Sequence, residues 1–189
     1  VFQNSTMSFL KTHTSHLVIT CFLIAAICSC KNTSKSKLAE YDPALDKIIR
    51  SETGAFRGFN LGNQLDSVKK NEPQQPVEAD QGYLYYEYKI DDTTGSYSIS
   101  YNFDEKGLNE IQSDIFITNA GNTERIFNAF KSYFDDHYGS SEIDMGYNVW
   151  TVKSQNFGEV KINLSDESTS LTTDHAPGKI SIWIYPDKN

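Results

Sequence analysis

The stretch SYSISYNF, residues 96–103, alternates without a break. Tyr97, Ile99, Tyr101 and Phe103 point one way, and Ser96, Ser98, Ser100 and Asn102 the other. A two-residue period of apolar and polar side chains belongs to a β-strand with one dry face and one wet face. A helix would scatter the same residues around its circumference. The flanking sequence extends this reading. DDTTG (91–95) and DEKG (104–107) are turns that end in glycine, the residue that adopts positive φ at least cost. They join the strand to an aromatic-rich one at 83–90 and to another at 108–117, and short hairpins of this kind make antiparallel sheet.

Further along, the period changes. Ile126, Phe127, Phe130, Tyr133 and Phe134 form a stripe at helical spacing, with Asn122 as the expected N-cap and Gly139 as the stop. Three more strands follow, at 147–153, 160–164 and 180–185, with a polar loop at 165–178. In the last strand Ile180, Ile182 and Ile184 oppose Ser181, Trp183 and Tyr185. Ahead of the first strands, Asp42 and Pro43 start a short helix carrying Leu45, Ile48 and Ile49. A second short helix is expected at 61–68, with Leu65 and Val68 inward, and then a loop at 72–76. Helix then three strands, twice over, predicts an α+β fold. It is an antiparallel β-sheet with helices packed on one face, built as tandem αβββ repeats at 41–118 and 119–189.

The three cysteines, Cys21, Cys28 and Cys30, fall in one ten-residue window. Just before the last of them, residues 17–27 (LVITCFLIAAI) are apolar and uncharged, and they follow a short head holding Lys11 and no acid. That is the layout of a secretory signal peptide, and the run is shorter than the roughly 20 residues a spanning helix needs. Met7 reads as the start and residues 1–6 as an upstream extension. Ile27-Cys28-Ser29-Cys30 resembles the bacterial lipoprotein lipobox: a branched aliphatic, a tolerant position, a small residue, then the modified cysteine. The resemblance implies cleavage after residue 29 and acyl chains, palmitate among them, on Cys30. Residues 30–40 then form a lipidated N-terminus and flexible tether, and 41–189 the α+β domain. Several acyl chains hold a protein to a bilayer without a spanning helix.

The first half of the domain is similar to the small lipoproteins that accompany outer-membrane barrel assembly and to the β-lactamase-inhibitor-protein-like fold they share. The residues concerned are Leu61-Gly62-Asn63-Gln64 with Val68, then Pro73, Tyr101-Asn102-Phe103 and Gly107-Leu108-Asn109-Glu110-Ile111. Asn63 stands where that group usually has Met, and the Leu-Gly usual before the proline is absent. The resemblance covers residues 59–112. It implies a protein-binding role and transfers no site residue.

Charge narrows the partners. Without Lys11, 16 of the 17 basic residues remain against 25 acidic ones, a net charge of −9. So acidic a domain is a poor ligand for nucleic acid. The basic tether KNTSKSK suits anionic headgroups, and it lacks an early acidic cluster, which points to the periplasmic side of the outer membrane. No nucleophile elbow, phosphate-binding loop or cofactor motif is present. Asp135-Asp136-His137 and Asp174-His175 are the one combination that would supply metal ligands, without any standard ligand spacing. Aromatics on the wet side of the strands, Tyr83, Tyr85, Trp183 and Tyr185, form the candidate binding patch. The expected activity is non-catalytic binding of another envelope protein. A small-ligand or glycan site on the aromatic face and a hydrolase with an unrecognised carboxylate site are the alternatives. A Cys30→Ala chain is expected to lose palmitate labelling and to move from the membrane to the soluble fraction. Retention of the variant with membranes would refute the anchor.

Overall fold

The computed structural model describes residues 36–154, 156–168 and 178–187; the leader, Cys30 and His175 lie outside them. Its helices are α1 (Leu38–Tyr41), α2 (Pro43–Ile48), α3 (Leu65–Asn71) and α4 (Ala120–Tyr138). Its strands are β1 (Glu78–Ala79), β2 (Tyr83–Asp91), β3 (Gly95–Asp104), β4 (Gly107–Ile117), β5 (Glu142–Asp144), β6 (Tyr147–Ser154), β7 (Gly158–Asp166) and β8 (Gly178–Pro186). All eight belong to one antiparallel sheet in the order β1-β2-β3-β4-β8-β7-β6-β5. The chain therefore lays down a four-strand meander and crosses through α4. It then lays down a second meander whose last strand closes against the last strand of the first.

The fold is α+β, and all six expected strands are present. The additional ones, β1 and β5, are two and three residues long, too short to show a period. Two expectations at helix starts need correction. The second short helix runs from Leu65, not residue 61, because residues 62 and 63 spend their backbone on the sheet. Gly62 N–H donates to the Leu108 carbonyl (2.7 Å), and Leu108 N–H donates to the Asn63 carbonyl (2.8 Å). Gly107 takes φ 99° in the β3–β4 turn, and a Cβ there would sit 2.6 Å from the Gly62 carbonyl oxygen, so this contact requires glycine. The long helix is capped by Asn119, whose side chain accepts from Gly121 N–H, rather than by Asn122. It ends, as expected, at Gly139 with φ 88°.

One face of the sheet carries the core. A single row of partners crosses six strands: Leu84, Tyr101, Ile111, Ile184, Ile162 and Trp150, each buried. On this face α4 buries Ile126, Phe130, Tyr133 and Phe134, and the Phe134 ring lies 5.2 Å from that of Trp150. On the same face α2 receives a hydrogen bond from the Tyr97 hydroxyl to the Lys47 carbonyl (2.9 Å). The apolar stripe read from the sequence is thus the contact that covers this face.

Into this core the chain places two charges. Arg57, at φ 55° in the left-handed region, has a side chain with no solvent exposure, and so has Glu72 at the end of α3. The guanidinium grips the carboxylate with two donors, Nε to Oε1 at 2.9 Å and Nη2 to Oε2 at 2.6 Å. Its Nη1 donates to the Ile48 carbonyl (2.6 Å) and the Tyr97 hydroxyl (3.1 Å). Glu72 accepts further from the hydroxyls of Tyr88 (2.7 Å) and Tyr101, and from Arg50. Burial pushes the Glu72 carboxyl up, but the Arg57 hydrogen bonds and charge, with the tyrosine hydroxyls, outweigh it and hold the group below its ordinary 4.5. A carboxyl depressed in the folded state lends stability that is complete above its unfolded value and is lost as pH falls through the folded one.

Glu72→Gln leaves the guanidinium buried without a counter-charge, and is expected to cost about 3–5 kcal/mol in urea unfolding at neutral pH. The native chain should lose stability progressively below pH 4.5, and the variant should be flatter over that range. A cost near zero would mean that the pair is not what holds these elements.

Candidate functional site

Alternation puts a second set of side chains on the face opposite the core. Tyr83 and Tyr85 leave β2 on that side with rings nearly parallel, 6.5 Å apart and inclined by 9°. The Tyr83 hydroxyl pairs with Ser100 Oγ at 3.2 Å, and the Tyr85 hydroxyl donates to Glu87 at 3.0 Å. Trp183 and Tyr185 leave β8 on the same side, with ring centroids 4.6 Å apart. All four candidate residues therefore share one face. They do not form one patch. The register runs Tyr85–Ser100–Gln112–Trp183, three strand steps, or roughly 14 Å at about 4.8 Å per strand. Between the two aromatic ledges lies a polar floor of Ser100, Asn102, Glu110 and Gln112, with Asn102 donating to Glu110 at 2.8 Å. The sequence shows which side each residue takes, but not how many strands separate β2 from β8.

Trp183 is 41 % exposed and separates two clefts. One, of about 630 Å³, runs past Tyr185 toward Phe157, Lys106 and Asn109. The other, of about 230 Å³, is walled by Gln112, Tyr147, Asn163, Ser165 and Glu167. Asn163 is the residue that sequence reading missed. It alternates with Ile162 and Leu164, so its side of β7 was readable, but its position beside Trp183 needs the β7–β8 register. It is 7 % exposed and donates through Nδ2 to the Tyr185 hydroxyl (3.2 Å), while its Oδ1 has no partner among the described residues. Asn109 in the larger cleft is similar: its Nδ2 donates to Asp104 (3.0 Å) and its buried Oδ1 has no partner among the described residues.

A charged cluster braces the smaller cleft. Lys179 reaches Glu167 at 2.8 Å and Asp114 at 3.3 Å, and the Ser181 hydroxyl donates to Asp114 at 2.6 Å. Burial raises the Glu167 carboxyl, and the Lys179 ammonium more than offsets this, leaving it below the usual glutamate range. Glu167 is therefore an anionic acceptor at neutral pH.

The acids and histidine at the end of α4 serve the fold. Asp135 accepts from Lys131 (2.6 Å), Ser141 N–H (3.1 Å) and the Trp150 indole (3.1 Å). Asp136 accepts from the Tyr41 hydroxyl at 2.6 Å. His137 Nδ1 lies 2.8 Å from the Tyr133 carbonyl, with its ring 4.1 Å from the Tyr133 ring. Among the described residues no three His, Cys, Asp or Glu side chains converge as metal ligands. Another cleft, of about 410 Å³, lies against Leu61, Tyr138, Val152 and Ile162, residues of the helix-covered side, and has the character of a gap at the core's margin.

Trp183→Ala is expected to cost about 1–2 kcal/mol of unfolding free energy, since the ring is 41 % exposed and only partly covered by its neighbours. Trp150→Ala, which empties a buried site, should cost about 3–5 kcal/mol. Circular-dichroism melts of the two variants separate these cases, and equal losses would make Trp183 a packing residue. No protein-family model matches the chain, and no curated protein or solved structure shows significant similarity to it.

Proposed function

We propose that the chain is a lipid-anchored protein of the bacterial envelope, held through Cys30 and facing the periplasm from the outer membrane. It works by binding a partner on the open sheet face rather than by catalysis. The observation that carries this reading is Trp183: a large aromatic ring left 41 % exposed on a strand at the centre of the sheet, opposite the face that α2 and α4 contact. Exposing so much apolar ring has a cost in water that a bound partner would recover. The leader and the Ile27–Cys30 motif support the anchor. We also read the two halves as copies of one unit. Each runs from a helix into a four-strand antiparallel meander, and the copies meet through their final strands.

The floor between the aromatic ledges is made of hydroxyls, amides and carboxylates, so this face suits a partner that itself forms hydrogen bonds. A second reading, assembly with another envelope protein, is favoured by the tip of the β5–β6 hairpin, where Ile143 and Met145 are 70 % and 93 % exposed. A photo-crosslinking side chain introduced at Gln112, on the open face, is expected to capture a discrete envelope component in intact cells. The same group at Ser132, on the exposed side of α4, should not. Identical capture at both positions, or none at Gln112, would overturn the binding-face reading.

A further inference from the structure

Of the buried side-chain polar atoms without a hydrogen-bond partner among the described residues, Tyr86 hydroxyl, Asn109 Oδ1 and Asn163 Oδ1, two are on residues that line the clefts on either side of Trp183. A buried carbonyl left unpaired costs about 1–3 kcal/mol, and native proteins rarely tolerate one without a reason. In both residues the amide nitrogen is already committed, Asn163 to Tyr185 and Asn109 to Asp104. Each side chain is thereby held with its carbonyl as the spare group. Resting on the binding-face reading above, we propose that these clefts form one site for an uncharged oligosaccharide, with a sugar ring lying on Trp183 and Tyr185 and its neighbours extending into the clefts.

The chemistry of the walls selects this ligand. A pyranose presents C–H groups on its ring face and hydroxyls around its edge. It therefore needs an aromatic face bordered by amides and carboxylates. Trp183 supplies the face, with the Tyr185 ring inclined to it by 42° as a side wall, and Gln112, Asn163 and Glu167 supply the border. The larger cleft, at about 630 Å³, lies within the range of small-ligand sites, roughly 300–1,000 Å³. The smaller, at about 230 Å³, lies below that range, so an occupant of both spans Trp183 and is longer than one ring. Charge argues against anionic ligands. Asp104, Glu110 and Asp187 line the larger cleft with Lys106, Asp187 being paired to Lys161 (3.1 Å). Glu167, paired to Lys179 (2.8 Å), lines the smaller, so carboxylates outnumber cations around the site. Phosphorylated, sulfated or uronic-acid ligands would meet like charge there.

The chain has two tryptophans, and Trp150 is buried on the opposite face, so a change in indole emission at the surface reports on Trp183. The acylated chain in a sugar-free detergent is titrated with cellohexaose, maltohexaose and N-acetylchitohexaose, with hexagalacturonate as the anionic control. The first two represent plain neutral glucans and the third an acetamido-sugar polymer, so the responding probe also separates these two sources. At least one neutral probe should give a saturable change in emission, and hexagalacturonate none. Trp183→Phe should abolish the optical change, and calorimetry on the same variant should show weakened binding. Asn163→Ala should weaken binding roughly ten-fold, the equivalent of one hydrogen bond, with the melting curve checking that each variant is folded. Absence of a response to all three neutral probes at millimolar concentration overturns the saccharide assignment, as does preference for hexagalacturonate. If Gln112 still captures a protein in cells, the face remains a binding face with another class of partner. Silence in both experiments removes both readings.

Discussion

Arg57 and Glu72 are sealed beneath the helices, and much of the helical side of the molecule converges on their contact. The guanidinium holds the Ile48 carbonyl at the end of α2, the carboxylate ends α3, and the Tyr88, Tyr97 and Tyr101 hydroxyls bring β2 and β3 to the same point. Taking both charges out of water is expensive, and apolar residues of equal volume would often stabilise a core as well or better. What the pair adds is position. A hydrophobic contact tolerates sliding, whereas a two-pronged hydrogen-bonded ion pair with every acceptor occupied has one satisfactory geometry. It holds the segment between α2 and α3, which otherwise has little regular structure, at a set place on the sheet.

That arrangement makes the two sheet faces unequal. The side with the ion pair also takes the aromatic stripe of α4 and the isoleucines of β4 and β8, and so becomes dry. The other side keeps the serines of β3, the carboxylates and amides of β4 and β7, and the aromatic ledges on β2 and β8. With the helices committed to one face, polar and aromatic side chains gather on the other. They stand on the strands whose reverse sides form the core.

Much of this architecture was legible locally. The two-residue period of β3 and the 3.6-residue period of α4 are properties of consecutive side chains, so strand, helix and buried face followed from the chain alone. Even so, the local pattern at Gly62 and Asn63 reads as helix, because their hydrogen-bond partner, Leu108, is distant in sequence. Asn119 displaced Asn122 as cap because both can offer the same side-chain acceptor, and only the exit of the chain from β4 chooses between them. The ion pair showed no local signal at all, since an arginine and a glutamate fifteen residues apart are ordinarily solvated charges.

The candidate site divides in the same way. Sequence by itself determined that Trp183 and Tyr185 oppose Ile180, Ile182 and Ile184 and that Tyr83 and Tyr85 share a side, because the side a strand residue faces depends only on its parity with its neighbours. With aromatics on both sides of β2, which of its sides is dry was left to the packing. Tertiary structure alone decided that β4 pairs with β8, joining Asp114 to Ser181 across 67 residues, and so that the aromatics form two ledges rather than one patch. It also placed Asn163 beside Trp183. The physical reason is that parity is set within one strand, whereas register is a contest among distant segments for backbone partners, settled by the packing of the whole core.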